Sequence, residues 1–266
     1  MTRKGIALAR NATERRRPRN TRIDTRATRA RRRTCVVVTC EHGGNRIPAR
    51  WAPLFRGRRA LLDSHRGWDP GALALARKLA KELHAPLFAH TTSRLLVDLN
   101  RSEHHRGVFS SITRALPADE RERLLREIYR PHRAGVERCI ATAIARGERV
   151  VHVAAHSFTP VLNGEHRRAD VGLLYDPARR PERAFCAAWL AALADALPDL
   201  TVRRNSPYRG NSDGLTTALR RRHAARDYVG IEVEVNQRLL GTVAFQRVAR
   251  VLAATARPLV RPGSGA

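Results

Sequence analysis

Two histidines and an aspartate stand where apolar runs give way to polar chain. TCVVVTC (34–40) leads into Glu41-His42-Gly43-Gly44-Asn45, VVHVAA (150–155) leads into His156-Ser157, and Asp69 opens a helical pattern. Two imidazoles and a carboxylate are a common ligand set for catalytic zinc and leave a fourth position for water. Gly43 and Gly44 would let the backbone approach a metal or substrate closely. Each residue also has a structural role open to it: Asp69 as a helix N-cap, each histidine as an ordinary strand-end residue. Their shared position, just beyond apolar runs, favours the chemical reading.

A second candidate is Gly230-Ile231-Glu232-Val233-Glu234-Val235-Asn236-Gln237. Alternation puts Ile231, Val233 and Val235 on one side and Glu232, Glu234 and Asn236 on the other. On an edge strand that polar side would be a solvated face. On a central strand, two buried carboxylates need a metal, an arginine or a proton, and a glutamate beside zinc-bound water is a general base. The third candidate is SRLLVDLNR (93–101), where Arg94, Asp98 and Asn100 accompany Arg101. If it is a strand, Asp98 and Asn100 share a side and Arg101 at its end suits a two-pronged grip on a carboxylate. In a chain this rich in arginine, Arg101 could equally be a surface residue.

Positioning these groups requires a sheet. Strand-like runs are expected at 34–40, 85–90, 95–99, 150–155, 171–175, 200–203 and 229–235. Helical patterns fill the gaps at 70–84 (Asp69 as N-cap, Pro70 at the first helical position), 118–146 with an interruption at Pro131, 181–197, 215–224 and 240–256. Alternating strands and helices imply an α/β fold with a mostly parallel or mixed central sheet covered on both faces. In such sheets ligands gather beyond the carboxyl ends of the strands, where the candidates above fall.

The net charge of +27 raises nucleic acid as a ligand, but thirteen of the 51 basic residues lie in 1–33, opposed only by Glu14 and Asp24. Aromatic residues are 5% of the chain, too few for interleaved stacking platforms, so nucleic acid is not expected as the main ligand. We expect a disordered arginine-rich extension over 1–33 and one domain over 34–262. Cys35, Cys40, Cys139 and Cys186 have no paired spacing, which points to free thiols, a reducing cytoplasm and neither disulfide scaffold nor zinc ribbon. No run has the roughly 20 apolar residues of a membrane span, and 1–33 lacks the apolar core of a secretory signal. Nothing in the sequence sets the oligomeric state.

Taken in order, CEHGGNRIP (40–48), HRGWDPGALALARKLA (65–80), SRLLVDLNR (93–101), HSFTPVLNG (156–164), VGLLYDP (171–177), RRNSPYRG (203–210) and GIEVEVNQ (230–237) resemble the N-formylglutamate amidohydrolase family. The resemblance implies a zinc-exopeptidase-like fold and hydrolysis of an N-acyl, N-formyl first, amino acid. It implies His42, Asp69 and His156 as metal ligands, with His65 the rival to Asp69. It also implies Glu234 as the catalytic glutamate, with Glu232 its rival, and Asn100-Arg101 as the substrate's carboxylate grip; Arg209 is expected to aid Arg101, and Arg94 is counted among the substrate-binding residues. Peptidases of this fold take a carboxylate ligand three residues after the first histidine; here Asn45 stands there, so Asp69 has to supply the charge. A zinc carboxypeptidase or cell-wall amidase is the other enzymatic reading, and a basic nucleic-acid-binding module the non-enzymatic one.

Overall fold

Six strands share one sheet: β1 (Thr34–Cys40), β2 (Leu87–Ala89), β3 (Arg149–Phe158), β6 (Val171–Leu174), β7 (Val202–Arg204) and β8 (Tyr228–Asn236), in the spatial order β2-β1-β3-β8-β6-β7. A computed structural model describes residues 1–2 and 32–260 of the chain. All neighbours in the sheet run parallel except β6 against β8, so the sheet is mixed. β4 (Val161–Leu162) and β5 (Glu165–His166) form a separate small hairpin.

Period-2 alternation sorts the strand residues into two layers. Val36, Val38, Val151, Val153, Ile231, Val233 and Val235 pack beneath α2 (Ala72–Leu83), α6 (Arg180–Ala196) and α8 (Val243–Val260). Val37, Val150 and Tyr228 face α5 (Arg130–Ala145) and α7 (Leu215–Arg222) on the other side. β8 lies between β3 and β6, so the edge-strand reading of its glutamates does not hold. Its register against β3 places Glu232 beside Ala154 and Glu234 beside His156.

The expected strand at 95–99 is absent. Leu95, Leu96, Val97 and Leu99 are buried, but in a separate cluster with Trp51, Phe55, Leu124 and Tyr129. The backbone there turns, with Leu96 N donating to Ser93 O at 3.0 Å and Asp98 N to Val108 O at 2.8 Å. An apolar run signals burial, and burial beside a turn satisfies it as well as a ladder does. The interruption expected at Pro131 is a change of helix type and not a break. α4 (Ala118–Leu124) passes through a π-helical turn at Leu125–Tyr129 into α5, and that turn directly before Pro131 accommodates the backbone donor a proline lacks.

The expected extension, residues 1–33, lies outside the described residues apart from residues 1–2, Arg32 and Arg33; residues 261–262 lie outside them too. Arg32 donates to Gly147 O at 2.7 Å and Glu148 O at 2.9 Å, and Arg33 O accepts from Arg149 N at 2.8 Å. Among the described residues, no helix is long and apolar enough to cross a membrane.

Candidate active site

The parallel register and the alternation of side chains together aim His156 and Glu234 from neighbouring strands past the same end of the sheet. His42 follows β1 by two residues, and Asp69 precedes α2. Asp69 is held there by its backbone, with Asp69 N donating to His42 O at 2.9 Å. It is not the N-cap. α2 begins at Ala72, its N-cap is Gly71 with no side-chain cap bond, and Pro70 precedes the helix. The Asp69 carboxylate is engaged elsewhere: Oδ2 lies 2.9 Å from His156 Nδ1 and 3.3 Å from His42 Nδ1.

The far nitrogen of each imidazole also meets a carboxylate. His42 Nε2 is 2.7 Å from Asp98 Oδ1, and His156 Nε2 is 3.2 Å from Glu41 Oε2. Asp98 only accepts, so His42 Nε2 carries a proton; at His156 the Glu41 contact favours the same tautomer, with Asn100 Nδ2 also 3.5 Å from that nitrogen. With the protons there, the Nδ1 atoms of neutral imidazoles present lone pairs to an Asp69 oxygen that offers only lone pairs itself. Such a convergence needs additional protons or a cation. The three donor atoms lie within 4.8 Å of one another, all on buried residues. Donors about 2.0–2.1 Å from one tetrahedral ion would stand roughly 3.3 Å apart, so the cluster fits a metal. Arg94 Nη2 donates to Asp98 Oδ2 at 2.6 Å, and Arg94 Nη1 lies 3.6 Å from Asp69 Oδ1. With neutral imidazoles, Glu41, Asp69 and Asp98 against Arg94 leave two negative charges, matching a divalent ion.

The electrostatics follow the same geometry. Burial alone would raise the Asp69 and Asp98 carboxyls, but the imidazoles around Asp69, and Arg94 with His42 beside Asp98, hold both well below the usual carboxylate range. Burial also opposes a charge on His156, yet its hydrogen bond to Asp69 and the close Glu41 carboxylate raise it well above the ordinary histidine value. A cation in the cluster would take over the role of that extra proton. Glu234 behaves oppositely. Burial, with Asp69 and Glu232 adding to it against the pull of His156, pushes its carboxyl up to about 8. Glu234 is 5% exposed and its Oε2 has no hydrogen-bond partner among the described residues. Glu232 accepts from Thr216 Oγ1 at 2.6 Å, which leaves Glu234 as the freer of the two carboxyls.

A cavity of about 310 Å³ opens on this cluster, and its lining includes His42, Asp69, His156, Glu232 and Glu234 together with Arg94, Asn100, Arg101, Arg209 and His65. Every residue expected at the site therefore reaches it, in different capacities. His65 is exposed at the rim and outside the three-donor group. Asn100 is occupied structurally, its Oδ1 accepting from Leu215 N at 2.8 Å. Arg101 donates to the Asp213 carbonyl at 2.8 Å, and Arg209 is exposed at the mouth. Asn45 is turned away, donating to Asp63 Oδ1 at 2.8 Å and Leu62 O at 3.3 Å, so it takes no part.

Gly43 and Gly44 approach neither metal site nor cavity. A Cβ on Gly44 would lie 2.6 Å from Thr91 O, and one on Gly43 2.9 Å from His90 O. The pair lets the loop press against residues 90–92, where Gly43 N donates to His90 O at 3.0 Å. Two site residues had no sequence signal: His132, inside α5, and Asp213, which accepts from Ser102 N at 2.9 Å. Asp98 did carry one, but its role as partner to His42 depends on a turn rather than a strand.

The sequence matches the family described as N-formylglutamate amidohydrolase over residues 34–240. Among solved structures, a gene product of Agrobacterium tumefaciens is 30% identical with a TM-score of 0.71, covering 86% of this chain and 92% of that one. The N-formylglutamate amidohydrolase of Ralstonia eutropha JMP134 shares the fold at 20% identity and a TM-score of 0.66, covering 86% and 93%. The comparison with curated proteins gives no match. A family match that begins at β1 and runs beyond β8 takes in every strand of the sheet and all of the converging side chains, and on that extent the chain belongs to the N-formylglutamate amidohydrolase family and is an amidohydrolase.

Proposed function

We propose that the protein hydrolyses the amide bond of an N-acyl amino acid, N-formyl-L-glutamate foremost, using a zinc ion held by His42, Asp69 and His156. The observation that carries this reading is the placing of an unpartnered, buried Glu234 beside three converging metal donors in a polar cavity. A divalent cation there would supply Lewis-acid polarisation of the scissile carbonyl and would acidify water at the site. With a cation held there, Glu234 would be kept in its ionised form against the effect of burial.

Glu234 then accepts the proton of the attacking water at its carboxylate and returns it to the amine nitrogen as the carbon–nitrogen bond breaks. The products are the acyl carboxylate and the free amino acid. Arg101 and Arg209 line the cavity without an ion-pair partner among the described residues, which leaves their guanidiniums available to substrate carboxylates. Arg94 is committed to Asp98 and Asp69 and serves the metal cluster instead.

The test is a panel of N-acyl amino acids assayed before and after exhaustive chelation, with metal content measured alongside. Turnover should be greatest for N-formylglutamate, fall with the metal and return on adding zinc. Full activity in metal-free protein, or no turnover of any N-acyl amino acid by zinc-loaded protein, overturns the reading.

A further inference from the structure

The two imidazoles of the cluster are braced by carboxylates of very different standing. Asp98, behind His42, is neutralised by a close Arg94 contact at 2.6 Å and also accepts from Asn100 N at 2.9 Å. Glu41, behind His156, has no such support. Its side chain is 0% exposed, and its neighbours are His156 Nε2 at 3.2 Å and His132 Nε2 at 3.7 Å. Neither contact has the alignment of a full hydrogen bond, and among the described residues both Glu41 oxygens and His132 Nε2 are otherwise without partners. Burial opposes the charge on Glu41, and the two imidazoles beside it offset that and hold its carboxyl low. With His156 neutral, as a metal ligand must be, the carboxylate costs the fold free energy that a neutral residue of similar size would avoid. The His132 side chain is itself only 5% exposed and reaches Glu41 from α5, the helix covering this end of the sheet.

What Glu41 does supply is a carboxylate oxygen 3.2 Å from the far nitrogen of His156, where Asn100 Nδ2 stands further off at 3.5 Å. A negative oxygen so placed favours a proton on Nε2, which leaves the Nδ1 lone pair facing the cluster. From this geometry we infer that Glu41 is the positioning residue of His156, and that His132 holds Glu41 in place. The inference rests on the metal reading given above. It adds a second braced ligand, built from Glu41 and His132, to the better-formed His42–Asp98–Arg94 arrangement. Carboxylates behind metal-binding histidines typically alter metal affinity by 10–100-fold.

The experiment measures zinc dissociation constants by competition with a chromophoric chelator, on purified full-length wild type, Glu41→Ala, Glu41→Gln and His132→Gln. Circular dichroism and thermal melting are recorded on each. Glu41→Ala should bind zinc 10–100-fold more weakly. Glu41→Gln keeps an acceptor oxygen for Nε2 and should recover at least half of that loss on a logarithmic scale. His132→Gln should weaken binding several-fold, because Glu41 loses its support but remains. The visible spectrum of the cobalt-loaded protein should change in Glu41→Ala, a signature that a purely structural role would leave alone. If wild type takes up no zinc, the metal reading falls and this one with it. Where wild type binds zinc and a folded Glu41→Ala binds it equally well, only the positioning role is overturned, as it is if Glu41→Gln proves as weak as Glu41→Ala. Should Glu41→Ala fail to fold, wild-type affinity in both Glu41→Gln and His132→Gln, with an unchanged cobalt spectrum, overturns it too.

Discussion

Asp69 Oδ2 is the point on which both imidazoles converge, so removing any of the three donors should empty the cluster of metal. His42→Ala, His156→Ala and Asp69→Asn should each lose metal by elemental analysis while keeping a wild-type circular dichroism spectrum. Asp69→Asn should also leave α2 intact, since Gly71 is that helix's N-cap and no capping bond is lost. Full occupancy in any variant removes that residue from the ligand set. Glu234 can be tested without metal. Its carboxyl titrates near 4.3 in an unfolded chain and at about 8 in the fold. Between those values the metal-free fold binds a proton that the unfolded chain has released, so stability falls as pH rises through the window. His156, raised by its two carboxylates, acts in the same direction, whereas Asp69 and Asp98, held low, act only in acid. Burial lowers His90 and His152 to about 4 and lowers His223 as well, so these act oppositely below about 6.5. The melting temperature of metal-free protein should therefore drop from about pH 7 to pH 8, and Glu234→Gln should flatten that slope; an unchanged slope rules Glu234 out as its source. Arg101 sets the substrate test. Arg101→Ala should cost about 2–5 kcal/mol in kcat/KM on N-formylglutamate. Arg101→Lys should be impaired too, because a lysine cannot reproduce the two-pronged contact. On a substrate with its α-carboxylate capped as an amide, wild type and variants should perform alike, and equal losses on both substrates would place Arg101 in the scaffold.

The loop after β1 carries His42 to its position by lying against the segment at 90–92. Gly44 is the point of closest approach, and a methyl group there would meet the Thr91 carbonyl at 2.6 Å. The contact is backbone against side-chain carbon, so nothing flexible can give way. Gly44→Ala should cost about 1–3 kcal/mol of stability, the usual penalty for overpacking, and weaken metal binding as His42 shifts. Thermal melting and chelator competition measure the two effects separately, and an unperturbed melt would show that the loop can move aside. Legibility in the sequence differed between such elements for a physical reason. The strands at 34–40, 150–155 and 229–235 declare themselves because their neighbours in the sheet require both period and composition. The 95–99 run shows the same composition without the ladder, since its side chains are satisfied by a second apolar cluster beside Trp51 and Leu124.

Ahead of β1, Arg32 and Arg33 are anchored to the described domain. Arg32 spans Gly147 O, Glu148 O and Asp227, while Arg33 O continues the ladder to β3. Removing residues 1–31 should leave kcat/KM within about twofold, well under the roughly 1.4 kcal/mol that a tenfold change represents. Removing residues 1–33 should lower the melting temperature as well, since partly exposed hydrogen bonds of this kind contribute about 1 kcal/mol each. Steady-state kinetics and melting curves on the two truncations decide between these outcomes, and a tenfold loss of turnover in the shorter deletion would bring residues 1–31 into the site.

His42, Asp69, His156 and the Glu232–Glu234 pair were all readable from the chain alone, because strand ends in an α/β sheet project their residues toward one edge and alternation selects the face. The layering of helices on both faces of one sheet was readable for the same reason. Choosing between the two glutamates was not, since that depends on Thr216 arriving from α7 to occupy Glu232 while Glu234 stays unpartnered. Nor was the bracing of each imidazole, which brings Asp98 from a turn and His132 from α5 to residues 56 and 91 positions away in the chain. Sequence periodicity reports the face on which a side chain lies. Which group stands opposite it is decided by how separate elements pack, and at this site the packing sets which ring nitrogen is free, which carboxyl keeps its proton and which arginine is left for a substrate.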